Sequence, residues 1–190
     1  MTYLPEMPLT RDTYCSYCGT RYDDPLVYPR TCKGCSTQVW ANPIPVSVIL
    51  LPVITGDRTG LLVVRRAIEP RLGKLALVGG FLEEHETWAE GGVRELREET
   101  GIVMRPDTLA PFWFTSTEPR PNRVLLFSVA QPVSSASFGP FVKSSETDER
   151  GLVFGPAGLD EVFAFPLHAK AARRYFSERG VEGEHGYATV

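Results

Sequence analysis

The chain contains no run of 18 apolar residues, so no transmembrane helix is expected. Its first residues, MTYLPEMPLTRD, lack a basic stretch followed by an apolar one. No secretory leader is therefore expected, and a cytoplasmic location follows by default. Positive charge is also scarce, with 20 Lys and Arg against 23 Asp and Glu and a net charge of -3 at pH 7. A protein that grips bulk nucleic acid usually carries the opposite sign. Internal repeats and low-complexity tracts are absent, which excludes repeat arrays. What remains is a chain of 190 residues, 43% hydrophobic and 23% charged. Those values fit one ordinary soluble domain plus a small module.

Cysteine is scarce but patterned. The four residues Cys15, Cys18, Cys32 and Cys35 form two C-x-x-C pairs with thirteen residues between them. In a reducing compartment this is poor disulfide material. Two short knuckles can instead bring four thiolates into a tetrahedron around Zn²⁺. A redox pair or unrelated free thiols is the plainer alternative. A site with four Cys is closed, so its zinc is structural rather than catalytic. Residues 11–40 thus read as a zinc ribbon whose folding energy comes from the metal.

Further along, apolar runs predict strands at Val46–Val53, Leu61–Arg66, Leu75–Leu82, Thr108–Thr117 and Arg123–Ala130, with a short one at Gly151–Gly155. Residues 131–148 are rich in Ser and Pro and predict a loop. Helical spacing appears at Pro166–Ser177, and residues 178–190 read as a flexible tail. Strands mixed with two helices imply an α/β or α+β sandwich.

The stretch WAEGGVRELREET, residues 88–100, is a helix with two glycines near its middle. Each costs about 1 kcal/mol against Ala in a helix interior. At 100° per residue, Glu95, Glu98 and Glu99 share one narrow arc. Ala89, Val93, Leu96 and Thr100 form the core-facing stripe. Thr87 and Glu90 match a capping box, and Gly101 is a natural stop. Gly91 and Gly92 lie on the carboxylate side, one turn before Glu95. They clear a patch for a close neighbour, expected to be the preceding loop with Gly79 and Gly80. Three carboxylates on one arc repel unless a cation neutralises them, and oxygen ligands favour Mg²⁺ or Mn²⁺. The bland alternative is a solvated ladder of Glu90–Arg94 and Arg94–Glu98 pairs.

The segment from Gly80 to Ile102 resembles the Nudix box, G-x5-E-x7-R-E-U-x-E-E-x-G-U, with U a bulky apolar residue. It matches at Gly80, Glu86, Arg94, Glu95, Leu96, Glu98, Glu99, Gly101 and Ile102. The resemblance implies an α/β/α sandwich around a mixed β-sheet over residues 45–177, preceded by the ribbon. It implies metal-dependent hydrolysis of a nucleoside diphosphate linked to another group. Glu98 and Glu99 are then metal ligands, Glu95 a ligand or the base that activates water, and the Gly80 carbonyl a further ligand. Glu86 and Arg94 are structural, pairing to hold the loop on the helix. An acidic residue from a later loop often assists, with Glu146 and Glu149 as candidates. A ribbon ahead of such a domain resembles the NADH pyrophosphatase branch, but that branch's S-Q-P-W-P-F-P signature is absent. Here the corresponding region reads PFWFTSTEPRPNR. A dinucleotide, ADP-ribose or FAD therefore remains open as substrate.

On the substrate side, Phe112, Trp113 and Phe114 offer rings for a base, with alternation sending Trp113 to the other face from the two Phe. Core packing is the competing use of all three. Phe81 follows the box loop, and Arg65, Arg66, Arg120 and Arg123 are candidate phosphate contacts. His85 reads as an exposed turn residue, and His168 carries no supporting pattern. Two other function classes stand beside the enzyme. One is a nucleotide sensor without turnover, which should have lost box glutamates. The other is an RNA-end processor using the ribbon. Residues 1–45 hold four basic and four acidic residues, which gives no footprint for a phosphate backbone. The ribbon thus reads as a structural or homodimer-forming piece.

Overall fold

The computed structural model describes residues 12–23, 27–118 and 122–190. Arg11, Asp24 and Arg120 lie outside that set. The chain divides into two compact units, Met1–Pro43 and Ile44–Val190. In the first, strands β1 (Arg30–Thr31) and β2 (Gln38–Val39) pair antiparallel on either side of the second cysteine knuckle, Cys32–Cys35.

The second unit carries the larger core. Its elements begin with β3 (Ile44–Leu50), β4 (Pro52–Thr55) and β5 (Arg58–Arg66), followed by β6 (Leu75–Ala76) and β7 (Val78–Phe81). Helix α1 (Trp88–Thr100) comes next, then β8 (Leu109–Ser116), β9 (Arg123–Ala130), β10 (Val133–Ser134) and β11 (Thr147–Val153). The chain closes with α2 (Leu159–Val162), α3 (Pro166–Ser177) and β12 (Tyr187–Thr189). One sheet has the order β7-β3-β9-β8, with β3 and β9 parallel. The other runs β10-β4-β5-β11-β12, with β6 also on β5. No helix among the described residues is long and apolar enough to cross a membrane.

Period-2 alternation explains the layers. Val48, Leu50, Leu61, Val63 and Phe127 enter one buried cluster with Ala172 and Phe176 of α3. Ile49, Leu51, Leu62 and Val64 enter a second cluster with Leu96 of α1. Strands apolar on both faces need a cover on each side, and the two helices supply it. The α/β fold with mixed sheets follows from this pattern.

Several boundaries differ from the sequence reading. Val46–Val53 is two strands in different sheets, divided at Leu51. Leu75–Leu82 divides in the same way at Leu77. An unbroken apolar run cannot reveal a change of sheet, because both sheets bury it. The short strand expected at Gly151–Gly155 extends back to Thr147. Residues 178–190 do not form a free tail throughout: β12 pairs with β11 through Gly151↔Thr189, Leu152↔Ala188 and Val153↔Tyr187. The Tyr187 ring lies over Gly151, where a Cβ would overlap it, and that close fit docks the strand.

Candidate active site

Helix α1 starts as its sequence requires. The Thr87 hydroxyl accepts from Glu90 N at 3.3 Å, and the Glu90 carboxylate accepts from Thr87 N at 2.8 Å. Gly101 ends the helix in the left-handed region, with φ 74°. Glu90 is thereby committed to the cap rather than to a ladder with Arg94.

Arg94 is the hub of the site. It donates to both Glu86 oxygens at 2.7 and 3.0 Å and to the Phe81 carbonyl at 3.0 Å. These bonds tie the loop after β7 to the helix. Arg94 also donates to Glu95 at 2.8 Å and to Glu98 at 3.1 Å. Beside this guanidinium the Glu86 carboxyl falls to about 2. One guanidinium thus serves three carboxylates, Glu86, Glu95 and Glu98.

The glycines are placed by contact. A Cβ at Gly91 would overlap Leu82 and come within 2.6 Å of Glu86 Oε1, so the loop at Leu82–Glu86 lies on the helix there. Gly92 faces β3 instead, where a Cβ would come within 2.9 Å of Ser47 Oγ. This corrects the expectation that both glycines face Gly79 and Gly80. Those two meet the carboxylates directly: a Cβ at Gly80 would overlap the Glu95 carboxylate, and Gly79 N donates to Glu99 Oε2 at 3.2 Å.

Electrostatics single out Glu99. Burial raises its carboxyl to about 8, against the pull of the Gly79 N–H, and the charges of Glu95 and Glu146 push it the same way. Arg66 opposes that shift. Burial also raises Glu95, opposed by Arg94 and reinforced by Glu98 and Glu146. Glu95, Glu99 and Glu146 therefore form a field short of positive charge. The carboxylate oxygens are not gathered onto a single point, since Arg94 draws Glu95 and Glu98 while Gly79 draws Glu99. An all-oxygen donor set with excess negative charge fits a hard divalent cation.

Of the two later acids, Glu146 is exposed and adds its charge to Glu95 and Glu99. Glu149 is engaged elsewhere, by Arg65 at 3.4 Å and by the Tyr187 hydroxyl. Arg65 also donates to the Gly73 carbonyl at 3.0 Å, so it is turned away from the glutamates. Its neighbour Arg66 points to the other face of β5 by alternation, donates to the Pro70 carbonyl at 3.0 Å and the Ile68 carbonyl at 3.3 Å, and its charge acts on Glu99. Phe81 is 51% exposed, with the Arg123 guanidinium 5.4 Å from its ring. Trp113 stacks on Phe127 at 5.2 Å and packs into the core. A register shift between Pro111 and Trp113 breaks the expected alternation, so Phe112 and Trp113 pack on the same cluster while Phe114 points out. His85 is an exposed turn residue, 3.4 Å from Glu83.

In the first unit, Cys15 Sγ lies 3.9 Å from Cys35 Sγ and Cys18 Sγ lies 3.6 Å from Cys32 Sγ. A tetrahedron with Zn–S bonds of about 2.3 Å has edges of about 3.8 Å, and a disulfide would need about 2.05 Å. All four sulfurs lie within 4.8 Å of one another, so the set fits zinc.

Comparison with known proteins decides the family. A profile described as NUDIX domain matches residues 43–178, well over half of the chain. The chain belongs to the NUDIX family. A stretch of 91 residues is 33% identical to an ADP-ribose pyrophosphatase of Methanocaldococcus jannaschii, covering 48% of this chain and 50% of that protein. The chain thus spans about half the length of this relative. Among solved structures, a NUDIX hydrolase from Nitrosomonas europaea aligns over 91% of this chain and 96% of its own, with 23% identity and a TM-score of 0.62. The NUDIX domain of Shewanella oneidensis NrtR, in complex with ADP ribose, aligns over 75% of this chain and 91% of its own, with 20% identity and a TM-score of 0.59. At these identities the structures show a shared NUDIX fold.

Sequence reasoning missed Ser47 and Tyr187 and gave His168 no role. Ser47 is fully buried on β3 and donates to the Trp88 carbonyl at 2.8 Å, pinning the first turn of α1. A lone hydroxyl inside the apolar run VSVIL was the available signal, since buried polar groups need partners.

Proposed function

We propose that this NUDIX chain is a Mg²⁺- or Mn²⁺-dependent pyrophosphohydrolase that splits the diphosphate linkage of a nucleoside diphosphate derivative, with ADP-ribose the first substrate to test. The carrying observation is Glu99, a buried carboxyl raised to about 8 among Glu95 and Glu146 and beside the Gly79–Gly80 backbone. That site is built to receive positive charge. Glu95, Glu98, Glu99 and the Gly80 carbonyl would hold the cation. When bound there, it neutralises the diphosphate and acidifies a water.

The protein's own groups divide the remaining work. Glu86 and Arg94 hold the loop against the helix. Glu146, exposed at the rim, is the group to take the proton as water adds to one phosphorus. The P–O–P bond then breaks, and the two products leave as phosphomonoesters. Arg66, whose charge acts on Glu99, is the cation we assign to a substrate phosphate. Phe81 is the exposed ring nearest the box. The ADP-ribose pyrophosphatase of the partial relative and the ADP-ribose in the NrtR complex support this substrate class over triphosphates. The four thiolates of the ribbon at 11–40 hold a structural zinc, in a reducing compartment such as the cytoplasm.

The test is nucleotide and phosphate release from ADP-ribose, NADH, NAD, FAD, nucleotide sugars and nucleoside triphosphates. Reactions with Mg²⁺ and with Mn²⁺ run beside Glu99→Gln. Turnover of ADP-ribose that vanishes in the variant is expected. Tight ADP-ribose binding with no turnover of any compound would replace the hydrolase with a sensor.

A further inference from the structure

We infer that His168 is a positioning residue for the metal-facing strand, accepting the Leu77 N–H on its Nδ1 and so fixing where β7 begins. The reasoning starts at the change of sheet. Leu77 is the single residue between β6, which pairs with β5, and β7, which pairs with β3. At such a switch a backbone N–H belongs to neither ladder. Leu77 is 1% exposed, so water cannot serve it. An unsatisfied buried donor costs about 1–3 kcal/mol.

His168 removes that cost from 91 residues away. Its Nδ1 lies 3.2 Å from Leu77 N. The chain around it reinforces the splice, since Ala164 N donates to the Leu75 carbonyl at 2.7 Å. The imidazole is fixed by Phe127, edge-on at 5.9 Å between ring centroids, and by Phe165 at 5.1 Å. An accepting Nδ1 requires the neutral ring with its proton on Nε2. Burial holds the ring in that form, lowering its pKa to about 3.

Three contacts from the backbone of this segment to the carboxylate helix lie within four residues of the splice. Gly79 N donates to Glu99, Gly80 sits against Glu95, and the Phe81 carbonyl accepts from Arg94. A shift at Leu77 is carried directly to all three. His168 touches none of the reacting groups and acts through β7.

The test compares His168→Phe with His168→Asn. Phe keeps a ring against Phe127 and Phe165 but has no acceptor, whereas Asn offers an oxygen near the Nδ1 position. Two readouts need no substrate: amide hydrogen exchange at Leu77 and Gly79, and Mn²⁺ affinity from water proton relaxation. In the Phe variant, exchange at both amides is expected to rise by about tenfold, the equivalent of one modest hydrogen bond. Mn²⁺ affinity is expected to fall at least about threefold, by the same coupling of ligands to their supports. Asn should recover most of both. On the hydrolase reading, kcat falls in the Phe variant while KM for ADP-ribose holds. A Phe variant that melts earlier but keeps wild-type Gly79 exchange and Mn²⁺ affinity would reduce His168 to core packing and overturn the proposal. If the Phe variant does not fold, ¹⁵N shifts of the wild-type imidazole decide instead, and a proton on Nδ1 overturns it. A wild type that hydrolyses nothing defeats the hydrolase reading alone, because the exchange measurement still judges His168.

Discussion

Replacing Gly91 by Ala sets two known effects against each other. Ala gains about 1 kcal/mol of helix propensity over Gly in a helix interior. Yet the new methyl would overlap the Leu82 tip and lie 2.6 Å from Glu86 Oε1. Leu82 is half-buried and its tip can swing. Glu86 cannot move without opening its fork to Arg94, and its side chain is only 8% exposed. Overpacking costs about 1–3 kcal/mol, and breaking a buried ion pair outright costs about 3–5. The expected net change is a loss of up to about 2 kcal/mol, with the propensity gain already subtracted. Gly92→Ala is the internal control. Its methyl would stand 2.9 Å from Ser47 Oγ and 3.3 Å from Ile49, contacts that a shift of a few tenths of an ångström relieves. Gain and clash there should cancel to within about 1 kcal/mol. Urea unfolding of both variants at pH 7 reads the difference as a shift in midpoint at constant slope. ADP-ribose turnover with Mn²⁺ reads whether the loop has moved. A Gly91→Ala protein at least as stable as wild type, with full turnover, would refute the close-approach account of the paired glycines.

Glu99 makes stability depend on pH in an unusual direction. Its folded pKa of about 8 lies above the ordinary 4.5, so the folded state binds the extra proton and metal-free stability should fall as pH rises from about 4.5 to about 8. Mn²⁺ should stabilise more at pH 8 than at pH 5, and melts of Glu99→Gln should lose both effects; an unchanged profile in that variant would remove Glu99 as their source. For Glu86, depressed to about 2 by Arg94, the sign is opposite: its contribution is present above about 4.5 and is lost as pH falls toward 2, which acid titration of Glu86→Gln beside wild type would reveal. Elemental analysis should find one zinc per chain, and Cys32→Ser should release it; zinc-free protein with intact ordering of residues 12–43 would defeat the ribbon. Removing residues 187–190 should cost at least about 2 kcal/mol, since it strips the edge of β11 and frees Glu149 from Tyr187; a truncated chain as stable as the full one would show that β12 adds nothing.

The fold was legible where one physical signal dominated. The capping box, the left-handed glycine and the helical stripe set the limits of α1. Clean apolar periodicity did the same for β9 and α3, which run Arg123–Ala130 and Pro166–Ser177. It failed at Leu51 and Leu77, where the chain changes sheet. A residue buried on both sides looks the same whichever ladder its neighbours join. The last strand was hidden for a different reason. Residues 178–186 are polar and rich in Gly, so nothing local announces that Tyr187 finds a glycine to lie on.

The site divides along the same line between local and long-range causes. Glu95, Glu98, Glu99, Glu86 and Arg94 were readable because they lie on one helix and its adjoining loop. Their angular positions follow from 100° per residue. What helical geometry cannot supply is the charge balance. Arg94 looked like a partner for Glu86 or, as an i,i+4 pair, for Glu98; it holds both, and Glu95 as well. The buried excess therefore falls on Glu99, whose nearest donor is a backbone N–H rather than a cation. Arg65 and Arg66 are adjacent in sequence and equal in charge. Only the pleat of β5, with Glu149 on one face and Glu99 on the other, tells them apart. His168 lies furthest from any local signal, because its partner is an N–H orphaned by the change of sheet that the apolar run conceals. The box residues were thus visible from one helix and its loop, while Glu146, Arg66 and His168 depend on where separate strands meet.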